Sequence, residues 1–496
     1  MYFHLTTLGC PKNQVDSDYL ASLLLRAGWK FQEDPSRADL VIVNTCSFIV
    51  PAVEESVEAV LELAEAREGG GLLMVAGCLV SRYGPETLAR LLPEVDLFLS
   101  PAEYPRVLSI LEGRHDPARE RTGKVEARTS TKHTRPSPMA EAEERPGETA
   151  ARAYSSTLHR GYVYVKVSEG CHRHCSYCAI PRIRGPLVSR PEGEIIEEVS
   201  FFLRRGAREI VLVGQDTTSY GRDREGKGRL PSLLKELSSL NGDFRIRVMY
   251  MHPDGVEEPL LEAMDHPRIY PYFDLPFQHV DPVVLRAMGR RGDLDSCRRL
   301  VKTIRREFPE AALRATFMVG FPGEDASSFQ RLYRFVEESR FDWLGLFGYS
   351  QEEGTPAYPL GKGSSRQVKG DRLRKLSLLQ EEIMRDRAQQ AVGRDLRVLV
   401  EGESDEAPGY WEARSYREAP EVDGVVFIPH GGDLKAGEWC EVRITAAEGI
   451  DVIAVPRGRL EERERTIPLP ADRDAKNTGR GFVPAGEGEQ APRGSR

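Results

Sequence analysis

The sequence predicts an α/β protein of three domains in series: a doubly wound parallel sheet, a partial (β/α)6 barrel and a small antiparallel β-barrel. Three observations carry this. At 496 residues the chain is too long for one ordinary core. Short apolar runs alternate with helix-patterned stretches through about residue 350, as strand–helix–strand units do when both sheet faces are covered. Beyond residue 392 the helical pattern stops, and short strands recur between Gly, Pro and Asp.

The first domain, residues 1–113, has strand-like runs at Tyr2–Leu8, Leu40–Asn44, Leu72–Ala76 and Val95–Leu99, with helix-like stretches at Asp16–Ala27 and Val53–Ala66. Residues 114–158 are mostly Arg, Glu, Thr, Ala and Pro, too polar to offset their ordering entropy, and read as a flexible linker or surface insertion. The second domain, residues 159–391, restarts the alternation with strands at Tyr162–Val167, Glu209–Val213, Arg245–Met249, Tyr272–Leu275, Leu313–Val319 and Trp343–Phe347. Helices such as Glu194–Arg205 and Ala326–Ser339 separate them, and a long helix over Arg366–Ala391 follows. Six such units place an active site at the carboxyl ends of the strands. In residues 392–456 the runs Leu396–Glu401, Gly424–Ile428, Trp439–Ile444 and Val452–Val455 suggest a barrel of about five strands. Residues 457–496 are charged, rich in Pro and Gly, and read as a disordered tail.

Hydrophobic content of 40% with 29% charged residues is that of a soluble globular protein. No apolar stretch is long enough to span a membrane, and the start has no signal-peptide pattern, so a cytoplasmic location is expected. In that reducing compartment the eight cysteines read as ligands or core residues rather than disulfides. The net charge of −8 argues against a protein built to coat nucleic acid.

Cys171, Cys175 and Cys178 form C-x-x-x-C-x-x-C just after a predicted strand. Three soft thiolates on one loop hold three corners of a four-iron cluster and leave the fourth iron open to a ligand. The alternative is a zinc knuckle using the adjacent His172 or His174, but no second ligand pair is nearby. Cys10, Cys46 and Cys78 are far apart in sequence, yet each closely follows a predicted strand. Carboxyl ends of parallel strands share one edge, so these thiols converge on a second cluster, unless each is simply a buried small hydrophobe. Cys297 and Cys440 read as packing residues. Gly320 and Gly323 follow the fifth barrel strand, where a missing side chain lets backbone approach a ligand; an ordinary Pro-Gly turn is the alternative. Gln215 and Asp216 lie on the predicted rim and either contact cofactor or substrate or cap the next turn, and His279 is a proton carrier or a structural histidine.

With a small β-barrel behind them, the two cysteine sets resemble the methylthiotransferase family of radical S-adenosylmethionine enzymes. The resemblance rests on Thr7-Leu-Gly-Cys-Pro-Lys-Asn-Gln-Val-Asp-Ser17, Asn44-Thr-Cys46, Ala76-Gly-Cys78, Cys171–Cys178 with Ala-Ile-Pro-Arg182 after it, and Val319-Gly-Phe-Pro-Gly-Glu324. It implies a radical-SAM barrel, a TRAM-like last domain, two 4Fe-4S clusters held by the six cysteines, and S-adenosylmethionine bound at the open iron of the central cluster near Gln215, Gly320 and Gly323. One electron passed into the sulfonium then releases a 5′-deoxyadenosyl radical. The first-domain cluster handles sulfur, a second S-adenosylmethionine supplies the methyl group, and flavodoxin or ferredoxin is the kind of electron donor implied.

The family has two branches: one modifies an adenosine in transfer RNA, the other the β-carbon of an aspartate in small-subunit ribosomal protein twelve. Residues 392–456 carry six Lys/Arg against fourteen Asp/Glu. Gripping RNA backbone needs positive charge, whereas an acidic barrel suits a basic ribosomal protein. Cys10-Pro-Lys-Asn and Ala413-Arg-Ser-Tyr-Arg-Glu-Ala-Pro-Glu-Val-Asp-Gly424 also look like the ribosomal-protein branch. The expected substrate is therefore that protein, with the transfer-RNA adenosine as the alternative.

Overall fold

The computed structural model describes residues 1–67, 71–113, 152–431 and 433–458. Most of the expected linker and almost all of the expected tail lie outside the described residues. The described residues form two compact units: the first takes in residues 1–156 with 180–185 and 193–201, the second the rest. The boundary expected at residue 159 is thus crossed by two short pieces of later sequence.

In the first unit five parallel strands, β1 (Tyr2–Thr7), β2 (Lys30–Phe31), β3 (Leu40–Thr45), β4 (Leu72–Gly77) and β5 (Leu97–Leu99), pair in the order β2-β1-β3-β4-β5. β2 has two residues, too few to show an alternating pattern in sequence. The pleat sends Leu40, Ile42, Met74 and Ala76 to one face against Leu20 and Leu24, and Val41, Val43, Leu73 and Val75 to the other against Val60 and Leu79. Both faces are covered, as a doubly wound sheet requires. The helix Pro11–Arg26 begins five residues earlier than its apolar period suggests, because Pro11 supplies a preset φ at its first turn. The end of the expected linker is pinned rather than free. Ser22 Oγ accepts from the amides of Ala153 and Tyr154 at 3.1 and 3.0 Å, and Arg152 pairs with buried Asp18 and Glu198.

The second unit begins with β6 (Tyr162–Lys166), followed by a short antiparallel pair, β7 (Ser168–Glu169) and β8 (Val188–Ser189). β9 (Glu209–Val213) and β10 (Arg245–Val248) join β6 in one parallel sheet, and β11 (Tyr272–Gln278), β12 (Ala312–Val319) and β13 (Trp343–Gly348) form another. Each triplet pairs in sequence order, as right-handed βα repeats do. Leu-, Ile- and Phe-rich strands are buried along almost their whole length.

The last five strands, β14 (Asp395–Glu403), β15 (Tyr410–Arg414), β16 (Val426–Pro429), β17 (Trp439–Glu448) and β18 (Asp451–Pro456), close in the order β14-β15-β16-β18-β17. The expectation of an antiparallel barrel needs one correction: β16 and β18 run parallel. Five strands cannot alternate direction around a closed ring, so one parallel pair is forced. Among the described residues no helix is long and apolar enough to cross a membrane.

The segment Ala413–Gly424 anchors this barrel on the parallel sheets. Arg247, fully buried on β10, donates to the carbonyls of Tyr416 and Ser415 at 2.8 and 3.0 Å. Trp343 Nε1 donates to Arg417 O at 2.6 Å, and the Tyr272 hydroxyl to Asp423 at 2.5 Å. Gly424 lies so close to Trp343 that a Cβ there would stand 2.8 Å from the ring. These motif residues work in domain packing.

Candidate active site

In the first unit Cys10 follows β1, Cys46 follows β3 and Cys78 follows β4. The sheet changes winding direction between β1 and β3, the crevice in which open α/β sheets bind ligands. The thiols are drawn together there. Gly9, at φ +94°, lies on Cys46 so closely that a Cβ would stand 2.7 Å from Cys46 Cβ. Asn13 fastens the loops, its Nδ2 donating to Leu8 O at 2.8 Å and Thr45 O at 3.0 Å. Ser56 Oγ accepts from Cys46 N and donates to Cys46 O. Arg184 Nε reaches Cys78 Sγ at 3.2 Å.

Burial pushes the Cys46 and Cys78 thiols up, Cys78 to about 12, and the neighbouring thiols add to it while Arg184 opposes it. Such thiols give up their protons to a metal rather than to water at neutral pH. All eight cysteines are free thiols. Among the described residues no three His, Cys, Asp or Glu side chains are gathered as one metal ion needs. Thiol sulfurs are the soft donors that hold iron–sulfur clusters, so the chemistry of the donor set fits such a cluster.

Gly77 fixes the approach to Cys78. It sits at φ +96°, and a Cβ there would meet Asn44 Oδ1 at 2.3 Å and Thr45 O at 2.7 Å. Gly77→Ala is expected to cost more than about 1 kcal/mol, read as a lower denaturant midpoint.

In the second unit the Cys171–Cys178 loop leaves the short pair β7/β8. Its backbone is tied down: Ser176 N donates to Met288 O at 2.8 Å, Ala357 N to Ser176 O at 2.8 Å, and Cys178 N to Cys175 O at 3.1 Å. Gly289, at φ +69°, makes room for the His174 carbonyl, which a Cβ would meet at 2.5 Å. Tyr177 packs with Phe321 and Tyr349 beneath Cys175 and Cys178. Arg290 NH1 lies 3.7 Å from Cys175 Sγ, and Arg173 N donates to Cys171 Sγ at 3.4 Å. Burial raises Cys171 to about 11.

The other rim residues divide. Asp216 caps the turn Thr217–Ser219 and binds Arg173 Nε at 2.7 Å, so it steadies the cysteine loop. Burial alone would raise its carboxyl, but Arg173 and the hydroxyl donors outweigh that and hold it low. Gln215, half-buried, makes no side-chain hydrogen bond among the described residues and keeps its amide available. Gly320 takes φ +78°, but the space above it holds the stem of Lys369, whose Cγ a Cβ would meet at 2.2 Å. The close neighbour at Gly320 is therefore this chain, whereas Gly323 at φ +91° is open. Glu324 accepts from the amides of Gly320 and Phe321 and pairs with Arg372 at 2.9 Å. Burial raises its carboxyl to about 6 against the pull of Arg372. His279 is fully buried, and its Nδ1 accepts from Asp281 N at 3.0 Å. Burial lowers it to about 4, and its Nε2 is buried without a partner among the described residues. Cys297 is buried, as expected of packing, and Cys440 is half-buried on β17.

Sequence reasoning missed Arg184, Arg290, Lys369 and Arg372. Each is an ordinary polar residue in its local pattern, and only the fold brings it to a cysteine or to the glycine turn.

The chain matches known proteins along most of its length. Family models match at residues 2–100 (uncharacterized protein family UPF0004), 165–336 (radical SAM superfamily) and 392–456 (TRAM domain). The chain is 43% identical over 456 residues to the ribosomal protein uS12 methylthiotransferase RimO of Heliobacterium modesticaldum, covering 91% of this chain and 94% of that one. It is 40% identical to the protein of that name from Syntrophus aciditrophicus and 38% identical to the one from Aquifex aeolicus, covering 97% and 96% of them. Among solved structures, the radical S-adenosylmethionine methyltransferase TsrM of Kitasatospora setae, solved with cobalamin and a [4Fe-4S] cluster bound, shares the fold at a TM-score of 0.50 and 16% identity, over 72% of this chain and 77% of that one. The domain order and the full-length likeness together make the chain a member of the radical S-adenosylmethionine methylthiotransferases, in the RimO branch.

Proposed function

We propose that this protein inserts a methylthio group at the β-carbon of an aspartate in ribosomal protein uS12. The observation that carries this is the full-length likeness to RimO proteins in a chain that sets one thiol trio after three strands of its first sheet and a second on one loop after β7. Cys171, Cys175 and Cys178 would hold the 4Fe-4S cluster that binds S-adenosylmethionine, with Gln215 and the open Gly323 beside it, while Gly320 packs on Lys369. Cys10, Cys46 and Cys78 would hold the second cluster. When bound, these groups supply one-electron chemistry at a C–H bond with no acidic proton, which side-chain acids and bases cannot perform. The chain's own residues do the holding. Arg290 sets its guanidinium beside Cys175 Sγ, Arg173 donates its backbone amide to Cys171 Sγ, and Glu324 shapes the Gly320 turn through two backbone amides. Residues 1–113 would form the sulfur-handling domain, 159–391 the radical domain and 392–456 the substrate-facing barrel, in a cytoplasmic enzyme reduced by a flavodoxin- or ferredoxin-like donor.

The choice of protein over RNA is supported by where the barrel's positive charge goes. All five of its arginines face carboxylates: Arg394 on Glu310, Arg397 on Asp243 and Glu441, Arg414 on Glu209 and Glu401, Arg417 on Asp342 and Arg443 on Asp395. Little is left to neutralise phosphates, while the surplus of acids favours a Lys/Arg-rich partner. Anaerobically reconstituted protein offered uS12 and transfer RNA separately, with mass spectrometry of both, tests this. Methylthiolated aspartate is expected. Methylthiolated nucleoside with unmodified uS12 would reverse the substrate, and stoichiometric zinc without S-adenosylmethionine cleavage would remove the enzyme.

A further inference from the structure

We propose that Arg184 is a positioning residue that sets the reduction potential of the cluster held by Cys10, Cys46 and Cys78, with Asp16 as its counterweight. The inference rests on the assignment of those cysteines made above. Arg184 comes six residues after Cys178 in the sequence, yet it folds into the first unit. Its side chain is 1% exposed, and three of its nitrogens are engaged: Nε on Cys78 Sγ at 3.2 Å, NH1 on Asp16 Oδ2 at 2.6 Å and NH2 on Asn13 Oδ1 at 2.5 Å.

The geometry reaches all three thiol loops. Asn13 lies three residues after Cys10 and binds Thr45 O, next to Cys46, while Cys78 is touched directly. A planar fork is needed for three such directed bonds, and a lysine ammonium provides none of that fixed geometry. Donors aimed at cluster sulfur favour the reduced, more negative form and raise the potential. A carboxylate at the same place does the opposite. With both groups buried, solvent screens either effect weakly. Folding alone needs only that the buried pair be matched; a potential depends on which member touches the sulfur, and the guanidinium bonds Cys78 Sγ.

The test is a redox titration, followed by electron paramagnetic resonance, of full-length chain carrying C171A/C175A/C178A so that one cluster remains. Asp16→Asn is expected to shift the midpoint upward, and the double variant D16N/R184Q, in which no buried charge is left unmatched, to shift it below that of the parent. Arg184→Lys should fall between the parent and D16N/R184Q. Opposite shifts at equal iron content are not what simple destabilisation produces. Full iron with an unmoved midpoint in D16N and D16N/R184Q would overturn the role of Arg184 alone. No iron in the parent would overturn the cysteine assignment, and this inference with it.

Discussion

Cys175→Ala and Cys46→Ala are expected to fail in different ways. The first should reduce S-adenosylmethionine cleavage to background; the second should leave cleavage within about two- to three-fold of the parent and still yield no methylthiolated uS12. Each should lower iron from about eight to about four per chain, one four-iron cluster fewer. The structure explains why these would be losses of a ligand rather than of a fold. Gly9 packs on the Cys46 Cβ, which alanine keeps, and Ser56 holds the Cys46 backbone on both sides. The second loop is likewise held through Ser176 N, Ser176 O and Cys178 N, none of which needs the Cys175 sulfur. Full-yield product from the Cys46 variant would remove the sulfur-handling assignment. Unimpaired cleavage by the Cys175 variant would remove the other.

How much of this was legible beforehand depends on the range of the interaction involved. Alternation of apolar and polar residues is local, so the strands Leu40–Thr45, Glu209–Val213 and Ala312–Val319 and the helix Arg366–Ala391 are found within a residue or so of where their patterns put them. That Cys10, Cys46 and Cys78 each follow a strand was legible, because the apolar run before each of them is a local pattern. β2 and β15 were not, since two residues in the first and a Tyr-Trp-Glu-Ala-Arg run in the second give weak alternation. Gly320 shows the limit at the site. Its positive φ could be foreseen from the Gly-Phe-Pro-Gly turn, but the occupant of the space above it, Lys369, comes from a helix some fifty residues later. Arg184 is the same case in the first unit. Long-range partners of a polar side chain have no periodicity to reveal them.

The other large expected effect concerns stability. Arg414→Leu should cost about 3–5 kcal/mol, because it leaves a buried carboxylate without its cation. Arg414 is 2% exposed, lies 4.9 Å over the Tyr162 ring, pairs with Glu209 at 2.9 Å and also holds Glu401. Glu209 keeps a second partner, Arg247 Nε at 2.6 Å, so the carboxylate that loses its paired cation is Glu401, with Arg160 left as its neighbouring charge. Arg414→Leu with Glu401→Gln should therefore recover part of the loss, a coupling that a double-mutant cycle reads directly. Because Glu209 belongs to a parallel strand and Arg414 to the barrel, the same network keeps the barrel fixed on the sheets whose strand ends carry the Cys171–Cys178 loop. A barrel loosened by Arg414→Leu should present uS12 less well. Methylthiolation at a temperature where the variant is still folded should fall further than S-adenosylmethionine cleavage does. A denaturant midpoint unchanged within about 0.5 kcal/mol would show that the pair is not matched as the geometry has it. Equal losses of cleavage and methylthiolation would show that the barrel does not bear on substrate placement.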